Sequence, residues 1–163
     1  MNSLPMVGAL EIGGLPLHPL IVHLVVILTP LTALALVLSV FWPAARRRLG
    51  IVTPLAALVV LILVPITVAA GESLKEVVGP LPAVERHESF GRMLLPWAIA
   101  LFVAASAHWA WYRFGRQGVI EKRPSQARIV AVVLGVLAMG VSIGVTVMIV
   151  LIGESGARAV WGS

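Results

Sequence analysis

Residues 14–42 read GLPLHPLIVHLVVILTPLTALALVLSVFW, a long apolar run that opens with two histidines. From Pro19 to Trp42 it contains no Asp, Glu, Lys or Arg, and it is long enough to cross a hydrocarbon core, which takes ~20 helical residues. Pro19 suits the first turn of a helix, where its missing N–H would have no partner in any case. The run therefore predicts a transmembrane helix with His18 and His23 near its beginning.

Three further runs have the same character, and the composition of the whole chain agrees with them. Of the 163 residues, 60% are apolar and only 12% are charged, too few charges to cover a soluble domain of this size. The predicted spans are approximately residues 19–42, 51–70, 93–112 and 129–152. They predict one all-α domain over residues 1–163, an integral membrane four-helix bundle with up-down-up-down topology.

The charged residues indicate how the bundle is oriented. Eight of the 12 basic residues lie in the first and third connections: Arg46, Arg47, Arg48, Arg113, Arg116, Lys122, Arg123 and Arg128. The positive-inside rule places these connections in the cytoplasm, and both termini and the loop 71–92 outside. Residues 1–14 contain no Lys or Arg, so a cleaved signal peptide is not expected. The short basic loops show no nucleic-acid recognition motif, although they suit a lipid bilayer with anionic head groups.

This topology sends imidazoles and carboxylates to the outer end of the bundle. His18 and His23 begin the first span, and the others flank the remaining spans: Glu72, His87, Glu88 and Glu154. Ionisable groups in membrane segments are rare and are functional-site candidates by default. Four-helix bundles commonly build cofactor and metal sites from side chains on facing helices.

Two cofactor chemistries fit these residues. In the first, His23 and His87 are axial ligands of a b-type haem, and Gly91 leaves room for the porphyrin one turn below His87. In the second, a non-haem metal ion such as iron, copper, manganese or zinc binds to imidazole and carboxylate ligands. The candidate ligands of that ion are His18, His23 and His87 with Glu72 or Glu154.

Other interpretations stay open beside these two. The same side chains are also suited to capping helix ends and pairing with Arg92 and Arg158, or to handling protons or ions.

The chain has no Cys, which excludes iron–sulfur clusters and thiolate-bound haem. The sequence shows no HExxH motif, phosphate-binding loop or nucleophile–base pair. It therefore gives no specific sign of an enzyme, and whether the protein is an enzyme stays open. His108 lies at the inner end among Trp109 and Trp111 and is expected to be an interfacial residue.

Glycines in the last span predict two further features. Gly140 and Gly144 form a G-x-x-x-G motif, which lets helices approach closely, either within the bundle or between two copies in a homo-oligomer. Gly153 and Gly156 follow the span and predict turns in the C-terminal tail.

The segments GLPLHPLIVH, AAGESL, VERHESFGRMLLPW and GESGARAVW, in this order, resemble the bacterial membrane family called domain of unknown function 2231. The resemblance covers essentially the whole chain. It implies a small four-helix protein of the bacterial cytoplasmic (inner) membrane, found in some cases alongside redox partners such as Rieske-type proteins. It implies no activity and no catalytic residue. Many relatives have His where this chain has Glu154, so an all-histidine site is not expected here.

We therefore expect a small redox-associated membrane protein that holds haem or a metal ion at its outer end. Such a protein would carry electrons or serve a redox protein or respiratory complex. The alternatives are a non-catalytic accessory subunit of a membrane complex and, since four helices leave little room for a pathway, an oligomeric transporter of metal ions or protons.

Overall fold

The computed structural model describes residues 11–12, 15–78 and 81–161. A two-residue antiparallel β pairing, β1 (Glu11–Ile12) with β2 (Leu15–Pro16), precedes the helices. The helices are α1 (Leu17–Phe41), α2 (Pro43–Leu49), α3 (Val52–Val78), α4 (Pro82–Ala110), α5 (Arg116–Lys122) and α6 (Pro124–Trp161), with a π-helical turn at Trp111–Gly115 between α4 and α5. The expected all-α architecture is confirmed.

The four long helices form a ring. Helix α1 packs against α3 and α6, and α4 packs against the same two, so α1 and α4 lie diagonally opposite each other. Each of these four helices contains a segment long and apolar enough to span a membrane. The predicted four-helix bundle is therefore present, with successive long helices running in opposite directions.

The two ends of the bundle have different chemistry, and we name them accordingly. The histidine end is formed by the first turns of α1 and α4 and the last turns of α3 and α6, and it carries His18, His87, Gly71 and Gly156. The arginine end is formed by the α1–α2–α3 connection and by the π-helical turn with α5. It carries Arg46, Arg47, Arg48, Arg113 and Arg116.

Small and branched apolar residues fill the space between the helices. The side chains of Leu36, Val60, Leu101 and Val145 are fully buried, and alanines lie at several of the helix contacts, where small residues allow close approach. Large apolar side chains on the outside of each long helix stay exposed: Ile27, Leu31, Leu55, Ile62, Ile99, Val103, Val136 and Val147. An apolar exterior of this kind suits a hydrocarbon environment.

The helices extend beyond the predicted spans, and the predicted loop 71–92 is largely helical. Helix α3 continues to Val78 and α4 begins at Pro82. Within this loop the capping-box spacing of Ser73 and Glu76 predicts only a short separate helix over 74–78. Gly79 and Pro80, which the sequence predicts to end that helix, lie outside the described residues. The apolar window marks only the part of a helix that hydrocarbon covers, and a polar helix continues readily into water. Ion pairs between α3 and α4, described below, stabilise this extension.

The turns predicted in the C-terminal tail are absent from residues 153–161, because α6 continues to Trp161 through both glycines.

The two glycines of the G-x-x-x-G motif lie in different environments. A Cβ atom at Gly144 would overlap the ring of Trp97 on α4, whereas a Cβ atom at Gly140 would meet nothing within 4 Å. Gly144 therefore serves packing inside the bundle.

Candidate cofactor site at the histidine end

His18 lies in the first turn of α1, and its ring is held by the neighbouring helix. Its Nδ1 atom lies 2.9 Å from the carbonyl oxygen of Thr67 on α3. A carbonyl oxygen only accepts hydrogen bonds, so Nδ1 must carry the proton of the neutral imidazole. The lone pair of the ring is then on Nε2, which is the arrangement found in histidines that bind metals through Nε2.

His87 lies near the beginning of α4 and is held in a similar way by α6. Its Nδ1 atom lies 3.1 Å from the hydroxyl oxygen of Ser155. That hydroxyl donates its own proton to the carbonyl oxygen of Ile152, 3.0 Å away. The Ser155 oxygen must therefore accept from Nδ1 of His87, which leaves the lone pair of the neutral ring on Nε2.

The two imidazoles lie opposite each other across the bundle axis, with their ring planes perpendicular. The ring centroids of His18 and His87 are 6.1 Å apart, with an angle of 88° between the ring planes. Since α1 and α4 are the diagonal pair of helices, each ring extends towards the centre of the bundle. The structure thus brings together two imidazoles whose Nδ1 atoms are already hydrogen-bonded.

A glycine on the neighbouring helix allows each imidazole its position. A Cβ atom at Gly71 would lie 3.0 Å from the His18 ring, and a Cβ atom at Gly156 would lie 3.1 Å from the His87 ring. Each half of the bundle thus contributes one histidine in the first two turns of a long helix and one glycine in the last turns of the next long helix. The two helical hairpins, α1 with α3 and α4 with α6, build the site in the same way.

These glycines, together with Thr67 and Ser155, were not predicted from the sequence. Gly71 and Gly156 belong to the segments AAGESL and GESGARAVW, which carry the family resemblance. A glycine has no side chain, so a ring from a neighbouring helix can lie close to its backbone. A glycine in the last turns of a helix, next to a helix that begins with a histidine, is the sequence signal for such a contact.

Below and around the two imidazoles lies a cavity of about 610 Å³. Its deeper wall is apolar and includes Val25, Val64, Leu94 and Ile149, one from each long helix. The remaining lining includes His18, His23, His87, Gly71, Gly91, Gly156, Lys75 and Glu88. Volumes of roughly 300–1,000 Å³ with mostly apolar walls and a few polar groups are typical of sites for small molecules and cofactors.

Two further residues of the predicted haem site line this cavity without contacting the histidine pair. The exposed ring of His23 donates from Nδ1 to the carbonyl oxygen of Pro19, 2.5 Å away, one turn earlier in the same helix. Gly91 lies in the lining, and a Cβ atom there would meet nothing within 4 Å. The space that the sequence predicts beside Gly91 is therefore open.

The carboxylates of the predicted metal site lie elsewhere. Glu72 pairs with Arg92 at 2.9 Å, and Glu154 pairs with Arg158 at 2.6 Å on the exposed surface of α6. Neither glutamate lines the cavity. Across residues 15–78 and 81–161 the structure shows no group of three or more His, Cys, Asp or Glu residues able to hold a metal ion.

An ion-pair network at the histidine end joins α3 to α4 beside the cavity. Glu88 accepts from Lys75 at 2.7 Å and from Arg92 at 2.6 Å, and Arg92 also contacts Glu72. Glu88 is the least exposed of these side chains, at 19%. The network holds the ends of the two helices together and balances two bases with two acids.

Comparison with known proteins gives one match. The family model described as "Predicted membrane protein (DUF2231)" matches residues 14–163. No curated protein and no solved structure matches the chain.

Proposed function

Because this chain belongs to the DUF2231 family of predicted membrane proteins, whose description names no activity, we propose a function from the site itself. The protein is a redox-associated membrane protein that holds a b-type haem at the histidine end, with His18 and His87 as the axial ligands. The single observation that carries this proposal is the facing pair of imidazoles at the cavity. His18 replaces His23 as the expected partner of His87, because the rings of His18 and His87 face each other.

The spacing of the two rings supports their role as a ligand pair. An imidazole nitrogen binds a first-row metal at about 2.0 Å. Adding the distance from this nitrogen to the ring centre on each side gives a centroid separation of roughly 6 Å for two imidazoles on opposite faces of one metal. The separation of the His18 and His87 centroids is 6.1 Å.

The hydrogen bonds at Nδ1 support the same role. A ligating histidine almost always donates its other ring N–H to a fixed acceptor, which orients the ring and makes the ligating nitrogen more basic. Thr67 and Ser155 supply these acceptors for His18 and His87. A haem held in this way carries one electron, and its potential depends on burial and on such hydrogen bonds.

The cavity lining suits the apolar macrocycle of a haem. Val25, Val64, Leu94 and Ile149 provide apolar contact for a macrocycle, and the lack of a side chain at Gly91 leaves space. The proposed orientation places this end at the outer face of a bacterial inner membrane, with both termini outside, where an electron would pass to or from a redox protein or respiratory complex.

The test is an absorption spectrum of the protein purified in detergent, after incubation with haem, in the oxidised and dithionite-reduced states. We expect a Soret band that shifts on reduction, with separate α and β bands, and one iron per chain. His18→Ala and His87→Ala should abolish the band. His108→Ala, a histidine change at the opposite end, should leave it intact.

The other outcomes contradict the proposal in distinguishable ways. Loss of the band in His23→Ala, but not in His18→Ala, would restore His23 as the ligand opposite His87. A stoichiometric metal without a Soret band would indicate a non-haem site. Failure to bind either haem or metal, with copurification of a partner protein, would favour the accessory subunit.

A further inference from the structure

A second cavity, of about 380 Å³, lies at the arginine end. It is enclosed by the last turns of α1, by α2, by the beginning of α3, by the end of α4 and by the π-helical turn with the start of α5. The polar and aromatic residues that line it are Ser39, Arg46, Arg47, Thr53, His108, Trp109, Tyr112, Arg113 and Arg116. The proposed haem site uses none of them.

The charge of this cavity is not balanced by the protein. Four arginines line it, and among the residues that the structure describes no carboxylate does. The ion pairs found in the described chain lie at the histidine end. Four guanidinium groups around one cavity repel each other unless an anion lies among them. A guanidinium presents several N–H donors in a planar fork that matches phosphate oxygens.

Two buried polar atoms in this region have no hydrogen-bond partner within the protein and are therefore available to a ligand. Thr53 is 4% exposed, lines the cavity, and its hydroxyl has no hydrogen-bond partner. The Nε atom of Arg46 is also buried without a partner. Buried polar groups in folded proteins are nearly always hydrogen-bonded, because an unpartnered group loses its contacts with water and gains nothing in return.

The ring of Tyr112 contacts two of the four arginines. The guanidinium carbon of Arg46 lies 3.7 Å from the ring centre of Tyr112, and that of Arg116 lies 5.6 Å from the same centre. Tyr112 lies in the π-helical turn, and π-helical turns inside α-helices often occur at functional sites. The extra residue in this turn changes the helical register and lets Tyr112, Arg113 and Arg116 all reach the cavity.

We propose that this cavity is a binding site for the phosphate group of an anionic phospholipid. The phosphate oxygens accept hydrogen bonds from Arg46 and its neighbouring arginines and from the Thr53 hydroxyl. Trp109 and Tyr112 line the same cavity, and such side chains concentrate at the level of lipid head groups. Basic pockets between transmembrane helices are suited to anionic head groups, so the head group is the expected source of the phosphate.

The test measures binding of phosphatidylglycerol to the protein in non-ionic detergent by native mass spectrometry and by the shift in the thermal unfolding midpoint. Arg46→Gln and Arg116→Gln should each weaken binding about tenfold, the loss expected for one charge-assisted hydrogen bond. Arg48→Gln is the matched control, because it removes the same charge from the same short helix at a residue outside the lining. Its effect should stay below about twofold.

Thr53→Val keeps the test informative if an arginine variant fails to fold. Without lipid or phosphate this variant should be at least as stable as the parent protein, because it removes a hydroxyl that has no partner. Its affinity for phosphatidylglycerol should nevertheless fall. An unchanged affinity in Thr53→Val and Arg116→Gln would overturn the proposal.

Two further probes identify what the cavity recognises. Diacylglycerol with the same acyl chains lacks the phosphate, and equal retention of this lipid would overturn the proposal. Competition by inorganic phosphate supports recognition of the phosphate group itself. Binding of inorganic phosphate without retention of phosphatidylglycerol would overturn the lipid as the source and assign the cavity to a soluble phosphate. Equal losses in Arg48→Gln and Arg46→Gln would show a general effect of charge and overturn the site.

Discussion

The histidine end and the arginine end of the bundle each hold a cavity, yet the polar groups of the two cavities are arranged in opposite ways. At the histidine end the imidazoles of His18 and His87 have acceptors for Nδ1, and Glu88 lies between two bases. At the arginine end four cations line a cavity without a carboxylate among the described residues, and the Thr53 hydroxyl has no partner.

This difference matches what the two proposed ligands require. A site that donates lone pairs to a metal needs rings that are already oriented by their own hydrogen bonds. A site that binds an anion needs donors that remain available until the anion arrives. The structure satisfies the first requirement at one end and the second at the other, and the apolar core lies between them.

The largest effect is expected in the core that separates the two cavities. Gly144→Ala should destabilise the bundle by about 1–3 kcal/mol, the usual cost of overpacking, because the new methyl group would overlap the Trp97 ring. The measurement is the free energy of unfolding in mixed detergent micelles. Gly140→Ala, in the same helix but with open space around it, should be neutral or more stable by up to about 1 kcal/mol. Equal destabilisation by both changes would contradict the packing described for Gly144.

The next effect concerns the glycines that contact the imidazoles. Gly71→Ala and Gly156→Ala would each place a methyl group about 3 Å from a histidine ring, which must move by a few tenths of an ångström. We expect haem affinity to fall about tenfold, measured by titration followed at the Soret band. Gly153→Ala is the matched control, because Gly153 lines the same cavity and has nothing within 4 Å of its Cβ position. A similar loss of affinity in the control would mean that ring placement is not the cause.

Removal of one buried hydroxyl should have opposite signs at the two ends. Ser155→Ala deprives both His87 and the Ile152 carbonyl of a partner, and should cost about 1–3 kcal/mol of unfolding free energy. Thr53→Val at the arginine end removes a hydroxyl without a partner and should add up to about 1 kcal/mol in detergent free of lipid and phosphate. Chemical or thermal unfolding of the two variants beside the parent protein measures the difference. Destabilisation by both changes would show that Thr53 has a partner after all.

The smallest effect is expected for the ion-pair network. Glu88→Gln should lower the thermal midpoint slightly, because it weakens the Lys75 contact that joins α3 to α4 and the Arg92 contact within α4. The loss should shrink as salt is added, since exposed charges are screened. Glu154→Gln, which weakens a more exposed pair within one helix, should change the midpoint less. A loss in Glu88→Gln that does not depend on salt would point to a packing role for this side chain.

Sequence reasoning recovered the features that depend on local composition. Four apolar runs of sufficient length gave four long helices, and the positions of the arginines gave a basic end opposite the histidines. The boundaries were less accurate, because hydropathy marks where lipid covers a helix and not where its hydrogen bonding ends. For that reason α3 is continuous to Val78, where the sequence predicts a loop with a short separate helix, and residues 153–161 are helical where it predicts turns.

The sequence by itself therefore determined the class of protein, the number of long apolar helices and the position of His18 and His87 at the end opposite the arginine-rich connections, since hydrophobicity and charge act residue by residue. Only the tertiary structure decided that His18 faces His87, that Gly71 and Gly156 contact their rings, and that Glu72 and Glu154 pair with arginines. These relationships join helices far apart in the chain. They depend on the rotation of each helix about its axis and on which two helices are diagonal, which are set by side-chain packing across the whole bundle.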